Sequence, residues 1–225
     1  MLFTLFQLIT SGAVLEVVLL LIGYAALIFV MLPFHELAHA FVADKLGDNT
    51  ARWHGRLRFN PLAHLDPWGT VMLLLFGFGY ARPVPVNPRN FRNPKQGMAL
   101  TALAGPVSNL LLAALSLGIF RVITLLPVSV LTLAIARFLL VYVFASVNLG
   151  LAVFNLLPVP PLDGSRILGL FLPDRVMYEM ERYSRQITWI MMLLLFMGKL
   201  DAVLNFLRSL LGGALCALFG LPNLF

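Results

Sequence analysis

Apolar runs long enough to cross a bilayer recur along this sequence, and they confine it to the few architectures that lipid permits. A helix needs about 20 apolar residues to cross the ~30 Å hydrocarbon core. The run over residues 13–45 would by itself reach ~50 Å as a helix. Pro33 lies inside it, has no amide to donate and frees the carbonyl of Phe29, so a kink or loosening is expected one turn before a pair of histidines. Residues 98–126 and 130–157 read as two further helices, and residues 189–197 and 202–221 as one span and one interfacial helix. Residues 70–80 are only about half a span and contain Gly77 and Gly79, which predicts a short or re-entrant segment. The expected fold is all-α, a polytopic transmembrane helix bundle of about 5–6 apolar segments.

Composition closes the alternatives. The 225 residues are 60% hydrophobic and 12% charged, with mean hydropathy +0.91, which excludes a soluble domain and makes the lipid bilayer the partner. The net charge of +6 does not indicate nucleic acid, because no basic stretch is interleaved with stacking aromatics. Lys and Arg instead gather in the connections around residues 45–58, 82–95 and 166–185, which orients those connections toward the cytoplasm. Cys216 is the sole cysteine, so neither an internal disulfide nor a thiolate metal cluster can form. The first twelve residues have no basic region and no small-residue cleavage site, and no cleaved signal peptide is expected. Residues 47–66 are polar and rich in turn formers, as expected of a surface loop.

Chemistry is concentrated in the first run, where His35, Glu36 and His39 form HExxH. Histidines at i and i+4 share a helical face, about 5–6 Å apart, so both imidazoles can reach one ion, with zinc the natural candidate. Glu36 is placed to act as general base on a metal-held water. Polar groups about 20 residues into an apolar run are costly in lipid unless they face a partner or a hydrated cavity, which weighs against a chance match. Zinc hydrolases take three protein ligands, so a third must come from elsewhere. By residue type His54, His64, Asp66 and Asp163 qualify. Asp163 follows Pro158, Pro160 and Pro161 and precedes Gly164, expected to allow a sharp turn, but an ordinary helix-capping role fits the same stretch.

The stretches FHELAHAFVADKLGD, NPLAHLDPWGT, PVPVNPRNFRNP, ALAGPVSN and FNLLPVPPLDGSRIL, spread over residues 34–168, resemble the site-2 protease family of intramembrane zinc metalloproteases. The resemblance implies one zinc ion held by His35, His39 and Asp163, with Glu36 as the catalytic base. It implies transmembrane protein substrates cut near the cytoplasmic face, in a multi-pass protein of the cell membrane, in a bacterium the plasma membrane. One integral membrane domain over residues 1–225 is expected, with a catalytic core at 13–168 and C-terminal membrane helices at 186–221. No PDZ-like insertion is visible, and HExxH falls in the first apolar segment, where better-studied members have a preceding helix.

Three further features bear on the site. Asn109 sits within an apolar helix, so its amide needs a partner: either an interhelical hydrogen bond or, as the family's similar motif suggests, a substrate carbonyl or oxyanion. Asn155 is read the same way. Gly105 and Pro106 are expected to let helices approach closely. In residues 82–88 Pro83 and Pro85 leave Val84 and Val86 as donors along one edge, so a short extended, β-like loop is expected that could capture an unwound substrate by strand addition. A silent zinc-binding scaffold and a metal transporter are the competing readings. Glu36 argues against the first, and the second would call for paired ionisable residues on several helices.

Overall fold

A computed structural model describes Thr10, residues 13–76 and residues 79–225; the signal-peptide expectation and Gly77 fall outside the described residues. The chain is helical, with no sheet among the described residues. Helix α1 is Val14–Lys45, α5 is Pro94–Thr124, α6 is Val130–Asn155 and α10 is Asp201–Leu218, all four long and apolar enough to cross a membrane. The stretch read as a loop, 47–66, holds two single-turn helices, α2 (Thr50–Trp53) and α3 (Pro61–His64). Helix α4 (Pro67–Phe76) is the half-length segment, capped by Asp66 Oδ1 accepting from Gly69 N–H at 2.9 Å. Helices α7 (Asp163–Leu168), α8 (Asp174–Arg182) and α9 (Ser184–Phe196) connect α6 to α10. With 13 residues, α9 reaches about 20 Å and falls short of a span.

The ends of these helices follow from their sequence. Asn93 opens α5 by accepting from Gln96 N–H at 3.2 Å, and Ser129 opens α6 by accepting from Thr132 N–H at 3.1 Å. Within α1, Pro33 cannot bond to Phe29, and the helix widens into a π turn over Leu27–Met31, closed by Leu32 N–H on Leu27 O. The loosening expected before the histidines takes this form. A second π segment, Arg137–Ala145, lies in α6, where Ser116 Oγ of α5 donates to Leu140 O at 2.6 Å. Such bonds matter where water cannot replace them.

Helix α5 is the hub: 44% of its most apolar window is buried, against 17% for α1 and α6 and 11% for α10. One core joins Ala113, Leu117 and Phe120 of α5, Val141, Ala145 and Leu149 of α6, and Cys216 of α10. Another joins Ala26 and Met31 of α1 to Val143 of α6. The small residues Ala40, Ala43, Ala99, Ala102 and Ala152 are buried, as close helix packing in lipid demands. The β-like loop expected over residues 82–88 is not seen: residues 82–87 form no strand, and the nearest pairing is one antiparallel bridge between Leu65 and Ala81, outside that segment.

Candidate metal centre

The C-terminal half of α1 crosses α5 so that His35 and His39 face Gly105, where a Cβ would collide with both imidazole rings. The close approach expected of Gly105 is thus what lets the rings fit between the helices. From the other side comes Asp163, the first residue of α7, after a turn that contains a cis Pro160–Pro161 peptide. Gly164 serves this turn by having no side chain: its φ is not positive, but a Cβ there would strike the carbonyls of Leu156 and Leu157. It permits a close approach of the turn to the end of α6.

His35 Nε2 and His39 Nε2 lie 3.0 Å apart, and each lies 3.3 Å from Asp163 Oδ2. Ligands ~2.0–2.1 Å from a tetrahedral zinc stand about 3.3 Å from one another, so these three atoms match one face of such a site. The outward hydrogen bonds fix what each atom carries. Asn148 Nδ2 donates to the backbone carbonyl of Phe144 at 2.8 Å, which turns Asn148 Oδ1 toward Asn109 Nδ2, also 2.8 Å away. Asn109 Oδ1 then accepts from His35 Nδ1 at 2.6 Å, and His39 Nδ1 donates to Thr101 O at 2.7 Å. With both Nδ1 atoms protonated, both Nε2 atoms present lone pairs. Burial works to raise the Asp163 carboxyl, and an imidazole that carries a proton on its facing Nε2 holds it well below the usual carboxylate range. Asp163 Oδ2 is buried without a hydrogen-bond partner. A proton shared among the three could satisfy one pair at a time, whereas a divalent cation satisfies all three.

Glu36 is half-buried between the two histidines in sequence and makes no hydrogen bond or ion pair among the described residues. Asn109 and Asn148 are fully buried, and both ends of the Asn109 amide are engaged. Asn155 is partly buried and donates to Leu151 O of its own helix at 2.9 Å. The other candidate ligands stand in other arrangements. His64 is buried and donates through Nε2 to Arg58 O at 3.1 Å, His54 bonds to Thr50 O at 2.8 Å, and Asp66 caps α4. Asp163 makes no capping bond. Val84 and Val86 are half-buried, in a segment whose carbonyls at Arg82 and Pro83 accept from Arg56 Nη2 at 2.5 and 2.8 Å.

Several contributors carried little signal in the sequence. Thr101 acts through a backbone carbonyl, which no side-chain pattern announces. Asn148 could have been found, as a lone amide one helix away from another. Asp48, fully buried, accepts from Asn87 N–H at 2.7 Å, Asn90 Nδ2 at 2.7 Å and Thr50 N–H at 3.1 Å, and so pins the end of the 82–90 segment beside α1. Burial works to raise its carboxyl, but these donors together hold it below the ordinary range.

Comparison with known proteins points one way. The model of peptidase family M50 matches residues 127–198, which include Asp163. The chain is 42% identical over 180 residues to the candidate zinc metalloprotease YwhC of Bacillus subtilis, covering 78% of this chain and 80% of that one. It is 33% identical over 138 residues to the candidate zinc metalloprotease Rip2 of Mycolicibacterium smegmatis, covering 59% of this chain and 51% of the relative. It is 26% identical over 152 residues to the zinc metalloprotease MJ0392 of Methanocaldococcus jannaschii, covering 68% of this chain and 35% of the relative. No solved structure matches.

Proposed function

Because the chain belongs to peptidase family M50, the site-2 protease family, we propose that it is an intramembrane zinc metalloprotease that hydrolyses peptide bonds of transmembrane proteins. The observation that carries this reading is the convergence of three buried acceptor atoms, on His35, His39 and Asp163, beside an unpartnered Glu36 on a membrane-crossing helix. The relatives' names supply zinc as the ion, and the nitrogen and oxygen donor set suits it. The whole chain acts as one membrane domain in the cell membrane, with the site open toward the cytoplasm, as the Lys and Arg distribution supports.

When bound, zinc polarises the scissile carbonyl and makes a water molecule acidic near neutral pH. The protein does the rest. Asn109 and Thr101 hold the two imidazoles with their Nε2 lone pairs inward, and this positioning suits Asn109 better than direct contact with substrate, because its amide is fully engaged. Glu36 takes a proton from the water as its oxygen bonds to the carbonyl carbon. The C–N bond then breaks, and Glu36 passes that proton to the departing amine. Asn155 is assigned to substrate contact through its carbonyl oxygen, its amide nitrogen being engaged by Leu151. The extended segment at Val84 and Val86 receives the unwound substrate as an added strand, held from behind by Arg56 and Asp48.

Glu36→Gln is expected to retain one zinc per chain and to lose cleavage of a membrane substrate by ~10²–10⁴-fold. Retained turnover would refute the role of Glu36. Val84→Pro or Val86→Pro is expected to cripple cleavage with zinc content unchanged, and normal cleavage would reject the strand.

A further inference from the structure

Away from the metal centre, the 47–90 region forms an open pocket of about 480 Å³. His54, Arg56, Arg58 and Arg82 supply its polar wall, Leu62 and Pro85 part of its apolar wall, and no carboxylate lines it. Arg56 is 5% exposed. Its Nη2 is used on the carbonyls of Arg82 and Pro83, while Nη1 is buried without a partner. Burial works against the Arg56 charge, and Glu36 and Arg82 act on it in opposite senses. A buried guanidinium is ordinarily matched by a carboxylate, yet Arg56, Arg58 and Arg82 take part in no ion pair among the described residues. Arg58 donates through Nε to Gly55 O at 2.7 Å, which directs the side chain without neutralising it.

Arg56, Arg58 and Arg82 line one pocket, with one buried, unmatched donor on Arg56, a setting that suits an anion, and the fork of donors on arginine suits phosphate oxygens. The surroundings select the source. Trp53 is 75%, Phe59 52% and Leu62 76% exposed, and Phe59 packs edge-on against Phe34 of α1, the residue before His35. Exposed Trp and Phe beside a membrane helix mark the headgroup layer. We propose that this pocket binds the phosphate of an anionic membrane lipid, with the glycerol end of the acyl chains lying against Leu62 and the proline wall. Because Arg56 also grips the carbonyls of Arg82 and Pro83, the bound phosphate steadies the segment that carries Val84 and Val86. The site does not depend on the proteolytic reading, since nothing in it involves the metal ligands.

Binding is read on the full chain in neutral detergent by titration with short-chain phosphatidylglycerol, phosphatidylcholine and inorganic phosphate. One phosphatidylglycerol per chain is expected, at least about fivefold tighter than phosphatidylcholine and tighter still than inorganic phosphate. Arg58→Gln with Arg82→Gln, both exposed side chains, should weaken it about tenfold, with zinc content and lipid-free melting temperature unchanged. Arg56→Lys, which keeps the charge but loses the fork, should weaken it as well. Equal binding of the two lipids, binding indifferent to the double substitution, or inorganic phosphate bound as tightly as phosphatidylglycerol would each overturn the proposal.

Discussion

At the junction of α1, α5 and α7, three acceptors on His35, His39 and Asp163 face one another within 3.3 Å, whereas in the 47–90 region Arg56, with a buried unpartnered donor, lines a pocket together with Arg58 and Arg82. Both places leave polar atoms buried without an internal match, and they do so with opposite sign. A convergence of lone pairs calls for a cation, and a convergence of N–H donors calls for an anion. The contrast also lies in rigidity. The acceptor cluster is held by helices and a chain of side-chain hydrogen bonds that ends on the backbone of α6, while the donor cluster hangs on single-turn helices and a proline-rich segment.

The acceptor cluster is most vulnerable at Gly105. In Gly105→Ala a methyl group must displace both imidazoles, and zinc affinity is expected to fall by at least ~10²-fold, read by competition with a fluorescent chelator; undiminished affinity would show that the rings have room to spare. A smaller effect is expected where the acceptor cluster is only oriented. Asn148→Leu removes the group that turns Asn109 toward His35 and should weaken zinc binding ~10-fold, with Asn109→Leu nearer ~100-fold. The reverse order would mean that Asn109 finds its orientation elsewhere.

Asp48, unlike Asp163, is a buried acceptor whose donors are all supplied by the chain. Asp48→Ala should cost about 2 kcal/mol in stability and leave zinc affinity unchanged. Its carboxyl is lowered from the ordinary 3.8 in the folded protein. Its contribution is therefore present above that value and is lost as pH falls through the folded value. The difference in melting temperature between wild type and Asp48→Ala should shrink below about pH 4, and a difference that grows with acid would reverse the assignment.

How far the sequence spoke depended on the kind of interaction. Run length and hydropathy give α1, α5, α6 and the C-terminal pair to within a few residues, because lipid admits few alternatives to a helix. HExxH gives two ligand positions because a helix fixes the separation of i and i+4. Asp163 stood level with a capping residue until the resemblance singled it out, since its approach to His35 and His39 depends on how α7 returns to α1. Helices α2 and α3 were hidden within a polar stretch because a single turn leaves no periodicity. Arg56 read as one of many cytoplasmic cations, because its burial arises from contacts with a segment 26 residues away.

Zinc K-edge X-ray absorption on the purified full chain reads the ligands His35, His39 and Asp163 on the ion itself. The expected spectrum is that of one zinc per chain with nitrogen and oxygen neighbours only at ~2.0–2.1 Å, two of them imidazoles, and that signal is lost in Asp163→Ala. A chain that holds no stoichiometric zinc, or one whose zinc environment is the same after Asp163→Ala, would contradict a zinc site built from these three residues.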